Sequence, residues 1–348
     1  MPLLSPIGSH AAEPSTHTPE KNPYPQALSR DSAELTLWAE SPEEARQFLS
    51  RAAQSAFAAR IERIFVAKRS PTQRHNSYIG GLYYRTTDDE NVDAYKCVVV
   101  APDAVTQLVQ WCTCDVMLSR GSAPLLALED TTHIVRMNLY QRIPRLARAA
   151  SLGVPAAVLQ GTRGLDFRKR GDRWGLFRYL QAFAAIAQVH PLSPALPFWY
   201  DPTAAAEKQA QDDAFRFVNA ALVADLPEIE RQRKTVLARV RAITGGGEIP
   251  PDLPSIDYSG RDVIVRIGAK PEKKSWREKG SGQMDPYLGL ILAAKYIYCY
   301  DGNGQKVKDL VLEFTYLPQG FWFFSNPETT ALYKRLPLEF ADRVRFLG

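Results

Sequence analysis

Residues 111–161 constrain the fold more than any other part of the chain. Their pattern predicts the order strand, tight turn, strand, helix, strand, with the turn at residues 120–123. Asp115 belongs to the first predicted strand, and Glu129 ends the second after the buried-looking run 124–128. Because two strands joined by a tight turn are antiparallel, Asp115 and Glu129 are expected at the same end of this hairpin.

Carboxylates in this position favour a metal site. A divalent cation such as Mg²⁺ prefers oxygen ligands that separate parts of the chain bring together. Asp115, Glu129 and Asp130 can supply them. A carboxylate beside an apolar run is costly to bury unless a cation or hydrogen-bond donors compensate it. The alternative is that Asp115 and Glu129 form an exposed pair, or that Asp115 caps a turn.

The helix predicted after Asn138 is unusually cationic. Arg142, Arg145 and Arg148 recur every three residues and share one broad face, with Gln141 next to the first of them. A Gln-Arg pair beside a metal site can position an attacking water or hold a phosphate oxygen. The alternative is a solvated arginine face.

The order of these residues resembles the catalytic core of the PD-(D/E)XK nuclease superfamily, which includes many restriction endonucleases. The family pattern is an Asp, a hairpin, a Glu-x-Lys on the next strand, and a helix with a further polar residue. Asp115, Glu129 and Gln141 match it, whereas Thr131 stands where the family usually has Lys. The resemblance covers roughly residues 43–200. It implies an α/β fold in which a restriction-endonuclease-like mixed sheet is flanked by helices.

The function that the resemblance implies is a Mg²⁺-dependent deoxyribonuclease of a restriction or phage-defence system, in which Mn²⁺ can replace Mg²⁺. Its implied catalytic residues are Asp115, Glu129, Thr131, Gln141 and Arg142. The implied partners are double-stranded DNA and a second copy of the chain, since concerted cutting of both strands needs two active sites. Two alternatives remain open. One is a nuclease-fold protein that binds nucleic acid without cleaving it, which Thr131 favours, and the other is a protein-interaction module.

The sequence as a whole predicts four segments. Residues 1–35 are rich in Pro, Ser, Thr and His and predict a flexible tail. Residues 36–224 form the nuclease-like α/β core, and residues 225–254 form a basic helix and a Gly- and Pro-rich linker. Residues 255–348 predict a smaller C-terminal α+β unit.

Cations surround one tryptophan near the start of this C-terminal unit. Such an arrangement suits nucleic acid, because the ring can stack on a base while the charges contact phosphates. The predicted nucleic-acid contacts are Arg145, Arg148, Lys270, Lys273, Lys274, Trp276 and Arg277. A flexible surface loop is the alternative for the last five.

Composition narrows the function classes. A net charge of +5 permits an anionic partner without requiring one. Four cysteines in 348 residues do not make a disulfide framework, and buried thiols are favoured over a zinc site. There is no apolar run of about 18 residues and no signal-peptide core, so we expect no membrane partner and a cytoplasmic protein. The G-x-S-x-G and H-E-x-x-H motifs are missing from the sequence.

Other local patterns predict further elements. Ser41 and Pro42 begin a helix whose apolar stripe continues to Ile64. Helices are predicted at residues 174–188 and 204–244, the second broken near Asp225. Residues 296–300 and 310–316 are expected to pair as a hairpin around a Gly-rich turn.

Overall fold

The computed structural model describes residues 34–66, 82–83, 97–98, 102–105, 108, 114–131, 138–162, 165–166, 168–200, 203–245, 256–267, 284–314 and 340–347. Within these ranges the chain forms a mixed α/β fold with a six-stranded sheet, a four-stranded sheet and a short two-stranded one. Helices flank the six-stranded sheet, which contains both parallel and antiparallel neighbours. The coarse fold class predicted from the sequence is therefore confirmed.

The strands are β1 (Leu35–Ala39), β2 (Ile61–Val66), β3 (Leu82–Tyr83), β4 (Cys97–Val98), β5 (Val116–Arg120), β6 (Ala123–Thr131), β7 (Ala156–Gly161), β8 (Ala195–Tyr200), β9 (Ile256–Asp257), β10 (Val263–Ile267), β11 (Leu310–Phe314) and β12 (Arg343–Phe346). The helices are α1 (Pro42–Ala52), α2 (Asn138–Ser151), α3 (Arg170–Val189), α4 (Ala204–Leu222), α5 (Leu226–Thr244) and α6 (Met284–Tyr298). The large sheet has the order β2-β1-β5-β6-β7-β8.

Helices cover both faces of the large sheet. All residues of β7 and β8 are buried, as expected for parallel strands covered on both faces. Helices α2 and α3 pack on one face. On the other face, the rings of Phe48 in α1 and Phe215 in α4 lie 5.8 Å apart. Adjacent residues of β6 therefore point towards different helix layers.

The central hairpin forms as predicted. Strands β5 and β6 are antiparallel, and Val116 pairs with Leu128, so Asp115 and Glu129 lie at the same end. Strand β5 begins one residue after Asp115, and β6 extends past Glu129 to Thr131. Strand β7 then returns parallel to β6, after the connection through α2.

The helix that begins at Ser41 is shorter than predicted. It ends at Ala52, and Ile61–Val66 form strand β2, which runs parallel to β1. Phe65 and Val66 are buried in this pairing. The apolar residues up to Ile64, predicted to lie on one helix, therefore belong to a helix and a following strand. Isoleucine and valine favour pleated, partly buried positions, and pairing with β1 outweighs the helical spacing.

The hairpin predicted for residues 296–300 and 310–316 is wrong. Helix α6 continues to Tyr298, and the N–H of Cys299 donates to the carbonyl oxygen of Lys295 at 2.8 Å, which extends the helical pattern. Strand β11 instead pairs in parallel with both β10 and β12. A short apolar run fits a buried helix as well as a strand, and packing decides between them.

Helix α6 joins the four-stranded sheet to the helices of the large sheet, because it packs on α2, α3 and β10. The closest approach is at Gly289, where an added Cβ would lie 1.9 Å from the carbonyl oxygen of Tyr140. Pro144, inside α2, has no N–H to donate to that carbonyl. Glycine at position 289 therefore allows the backbones of α2 and α6 to approach each other.

Two further sequence expectations concern cysteines and membrane spans. Cys114 and Cys299 are buried free thiols. Among the described residues, no helix is both long enough and apolar enough to cross a membrane.

Candidate functional site

Three carboxylates meet at one end of the large sheet. Glu40 directly follows β1, Glu44 lies in the first turn of α1, and Asp115 directly precedes β5. One carboxylate oxygen from each lies within 4.8 Å of the other two. Glu40 and Asp115 are buried, and Glu44 is partly buried. We call these three residues the acidic cluster.

Local backbone structure explains why these residues meet. Strands β1 and β5 are antiparallel, and the N–H of Glu40 donates to the carbonyl oxygen of Asp115 at 3.0 Å. Ser41 caps α1 by accepting a hydrogen bond from the N–H of Glu44 at 3.2 Å. Glu44 therefore lies at the positive end of the helix dipole, where a negative charge is stabilised.

Asp115 lies where ionisation is unfavourable. Its Oδ2 accepts a hydrogen bond from the backbone N–H of Asp130 at 2.7 Å. Burial raises the pKa of Asp115 well above its ordinary value, and the nearby charges of Glu129 and Glu44 raise it further. The positive charge of Arg142 opposes these effects without cancelling them. A bound cation would favour the ionised form of Asp115.

Glu129 is fully buried and holds two arginines. Its Oε2 lies 2.9 Å from Nε of Arg142, and its Oε1 lies 2.9 Å from Nη1 of Arg145. The two arginine side chains are only 13% and 12% exposed. The alternative of a solvated arginine face is therefore wrong for these two residues.

The guanidinium group of Arg142 also contacts Thr131. Its Nη2 and Nε donate to Oγ1 of Thr131 at 2.8 and 3.1 Å, and its Nη1 donates to Oε1 of Gln141 at 3.2 Å. A positive charge from α2 thus lies beside the position where the nuclease pattern has Lys. Gln141 holds this guanidinium in place, since it contacts Arg142 from the same helix.

Asp130 faces the opposite helix layer from Glu129. Both of its carboxylate oxygens lie 2.6 Å from Nη1 of Arg51 in α1. Burial raises the pKa of Asp130 from 3.8 to about 6, although the attraction of Arg51 works in the other direction. The structure therefore brings Asp115 together with Glu40 and Glu44, whereas the Asp130 carboxylate is engaged by Arg51.

Six further residues were expected to contact nucleic acid. Arg148 lies near Tyr296 of α6, since its charge lowers the pKa of that tyrosine against the larger effect of burial. Lys270, Lys273, Lys274, Trp276 and Arg277 lie outside the described residues. The role of all six in nucleic-acid binding stays a prediction.

Glu40 and Glu44 were not identified as ligands from the sequence. A usable signal was present, because Glu40 follows the apolar run Leu35–Ala39 directly and Glu44 is the third residue after a helix cap. That run was not recognised as a strand, so the end of the sheet could not be placed beside the helix start.

Two buried polar atoms lie on the α2 and α3 side of the sheet. Oη of Tyr179 and Oε1 of Gln160 have no hydrogen-bond partner among the described residues. Gln160 is the neighbour of Thr131 in the pairing of β6 with β7. The charge of Arg142 lowers the pKa of Tyr179 and the charge of Glu129 raises it, so both charges lie near this phenol. A polar molecule such as water could satisfy these atoms beside the site.

The buried carboxylates predict an unusual pH dependence of the metal-free protein. The pKa values of Asp115 and Asp130 are raised in the folded chain, the latter from 3.8 to about 6. Between the unfolded and folded pKa values, the folded state holds protons that the unfolded state has lost. Stability is therefore greatest below the unfolded pKa and falls as the pH rises through the folded pKa.

Urea unfolding with a chelator present should therefore give a higher unfolding free energy at about pH 5 than at about pH 8. Mg²⁺ should recover stability mainly at the higher pH, because it binds ionised carboxylates. Asp115→Asn should make the pH profile flatter. An unfolding free energy that rises steadily from about pH 4 to 8 would contradict the assignment.

No protein-family model, curated protein sequence or solved structure gives a significant match to the chain. The geometry of this site and the short motif around it are therefore the features that indicate a function.

Proposed function

We propose that the chain is a divalent-metal-dependent nuclease with a restriction-endonuclease-like core that hydrolyses phosphodiester bonds of double-stranded DNA. The observation that carries the proposal is the acidic cluster of Glu40, Glu44 and Asp115, which lies beside Glu129 at the end of a mixed sheet. A restriction or phage-defence role and a homodimer with two sites belong to the same proposal.

The donor set fits Mg²⁺ or Mn²⁺. Oxygen ligands on opposite sides of a Mg²⁺ ion lie about 4.2 Å apart, so oxygens within 4.8 Å need only small side-chain rotations to bind one. With all four carboxylates ionised, as metal binding requires, the acidic cluster and Glu129 carry four negative charges, and Arg142 and Arg145 carry two positive ones. The remaining charge of minus two equals what one divalent cation neutralises.

Each residue then has a role in phosphodiester hydrolysis. Glu40, Glu44 and Asp115 would hold the cation, which when bound lowers the pKa of a water molecule and stabilises charge on the phosphate. Glu129 orients Arg142 and Arg145 towards the site. Oγ1 of Thr131 accepts hydrogen bonds from Arg142, which leaves its own hydroxyl hydrogen to donate to water or a phosphate oxygen.

The direct test is cleavage of supercoiled plasmid and of mixed-sequence linear DNA with Mg²⁺, Mn²⁺ or EDTA. The proposal expects cutting that depends on the metal and stops in EDTA. Cutting that continues in EDTA, or a complete lack of cutting with either metal on all substrates, would reject it. An RNA substrate of the same sequence tests the preference for DNA.

A second candidate is a nuclease-fold protein that binds nucleic acid without cleaving it. The observation that favours it is that Glu129, the residue at the motif carboxylate, is already paired with two arginines. Phosphate-driven binding would fall steeply with rising salt while no product forms. An interaction with a protein partner through an apolar interface would depend much less on salt.

Arg142 is expected to supply the positive charge that the motif Lys supplies in related nucleases. Arg142→Gln should reduce the cleavage rate on the order of 100-fold, the cost of losing one electrostatic donor in an active site. Adding Thr131→Lys should restore at least about 10-fold of this loss, because the charge returns beside Glu129. Single-turnover cleavage with saturating Mg²⁺ measures both changes.

The matched control is Thr131→Met in the Arg142→Gln background, since Met has a similar length and no charge. It should restore nothing. Equal recovery with Met and Lys would show that Arg142 acts through packing rather than charge.

A further inference from the structure

A basic groove lies far from the acidic cluster. It has a volume of about 610 Å³ and lies between the C-terminal end of α3, one face of α5 and the turn at residues 302–303. Its cations are Arg233, Lys234 and Arg241, all from α5. No carboxylate is among the described residues that line it. We call this feature the basic groove.

The groove is separate from the candidate metal site. Helix α3 begins after the C-terminal end of β7 and ends before the start of β8. Its first residues therefore lie near the C-terminal ends of these parallel strands, and its last residues lie near their N-terminal ends. The acidic cluster is at the edge where β1 and β6 end, whereas the groove is formed at Gln188 and Pro191. A helix of 20 residues is about 30 Å long.

The groove keeps an excess of positive charge. Glu230 lies 2.6 Å from Nε of Arg233 and 3.4 Å from Nζ of Lys234, so one carboxylate is shared by two cations. Among the described residues, Arg241 makes no ion pair, and its side chain is exposed. Lys234 is 72% exposed and can therefore move towards a ligand. Three positive charges against one negative charge favour an anion.

The far wall of the groove is held in place by close packing. Gly304 has a φ of +77°, and an added Cβ would lie 2.6 Å from the carbonyl oxygen of Gln188. The turn therefore lies directly on the end of α3. At Gly302 an added Cβ would meet nothing within 4 Å, so this side of the groove is open. The cations therefore line a concave surface with fixed walls, unlike solvated side chains on the outer face of a single helix.

We propose that the basic groove binds phosphate groups of a nucleic-acid backbone. Arg241 and Lys234 would contact phosphate oxygens, and Arg233, which also donates to the carbonyl oxygen of Ala187 at 3.4 Å, would hold a fixed charge at the base. The choice of nucleic acid as the source of phosphate rests on the proposed nuclease function. The groove would then hold a stretch of backbone remote from the cut, which gives affinity without sequence information.

The test uses the full chain, a fluorescently labelled DNA duplex and EDTA, so that binding is measured without cleavage. Lys234→Gln with Arg241→Gln should weaken binding about 10-fold or more at low salt. The slope of log affinity against log salt should become smaller by about two, close to one for each lost phosphate contact. Anisotropy titrations over a range of salt concentrations measure both quantities.

The matched control is Arg216→Gln with Arg231→Gln, which removes the same net charge from exposed residues outside the groove. It should leave the slope nearly unchanged. Equal effects of the two double variants on affinity and salt slope would reject the groove as a binding site. They would show that the duplex is attracted only by the overall charge of the protein. A wild-type chain that does not bind the duplex at low salt would also reject it.

Inorganic phosphate serves as the second probe. If calorimetry shows phosphate binding that the groove variant loses, while duplex binding is unaffected, the groove takes a small phosphate compound and not nucleic acid. Cleavage with Mg²⁺ tests the nuclease activity separately. Groove-dependent binding without cleavage would support the groove and reject the nuclease.

Discussion

Asp115→Asn is expected to abolish metal-dependent cleavage while leaving the protein folded. Asn has the shape of Asp and can still accept the hydrogen bond from the N–H of Asp130. It cannot supply the negative oxygen that a divalent cation needs at the centre of the acidic cluster. Loss of an outer contact to a metal ligand costs 10- to 100-fold, so loss of the ligand itself should cost at least about 100-fold in cleavage rate.

The same substitution should raise or preserve the stability of the metal-free protein. It replaces a buried carboxyl, whose ionisation is disfavoured by burial and by the charges of Glu129 and Glu44, with a group that cannot ionise. The stabilisation by Mg²⁺ that is expected for the wild-type protein should disappear, because the cation no longer binds the folded state preferentially. Cleavage rates and unfolding midpoints with and without Mg²⁺ measure both effects.

Asp212→Asn is a suitable control, because Asp212 is an exposed carboxylate on α4. It should change neither the cleavage rate nor the response to Mg²⁺. Full cleavage by the Asp115→Asn variant would show that Asp115 is not a metal ligand. The proposed set of ligands would then be wrong.

Glu129→Gln is expected to destabilise the fold by about 3–5 kcal/mol, because it leaves buried guanidinium groups without their counter-charge. Glu129 is fully buried and faces Arg142 and Arg145, each at 2.9 Å. Gln keeps the size of the side chain and loses the charge. Urea unfolding of wild type and variant measures the difference.

Glu228→Gln provides the comparison, because Glu228 pairs with the largely exposed Arg231 at 2.6 Å. An exposed pair is worth less than about 1 kcal/mol. Adding Arg145→Gln to Glu129→Gln should recover part of the lost stability, since one unpaired cation is removed. Similar losses of unfolding free energy for the variants at positions 129 and 228 would show that the buried ion pairs stabilise the fold no more than an exposed pair does.

This expectation changes how mutations at Glu129 are interpreted. A loss of cleavage in Glu129→Ala would not distinguish a lost metal ligand from a damaged fold. Asp115 separates the two, because its neutral form is the one favoured in the metal-free protein. We therefore place more weight on Asp115 than on Glu129 in any test of the metal site.

Local sequence patterns predicted most of the large sheet and its helices. The turn within residues 120–123 and the alternation around it placed Asp115 opposite Glu129, because antiparallel pairing depends on few neighbouring residues. The break between α4 and α5 followed from Asp225 and Pro227, a helix cap and a residue suited to a first helical turn. These features have short-range physical causes.

The partners of the charged side chains could not be predicted in the same way. Arg142 and Arg145 were assigned to water, phosphate or nucleic acid, yet the structure turns both towards Glu129. Asp130 was grouped with Asp115, yet β6 directs its side chain to Arg51 on the opposite face. Which charges meet depends on which helices cover each face of the sheet, and that is a long-range property.

The sequence by itself determined the central hairpin, the helix that follows it and the presence of carboxylates at one end, since propensity, alternation and turn chemistry act over a few residues. Only the tertiary structure decided that Glu40 and Glu44 join Asp115, because this requires β1 to pair with β5 and α1 to begin beside them. The free energy of strand pairing and burial, which acts between distant residues, made that choice.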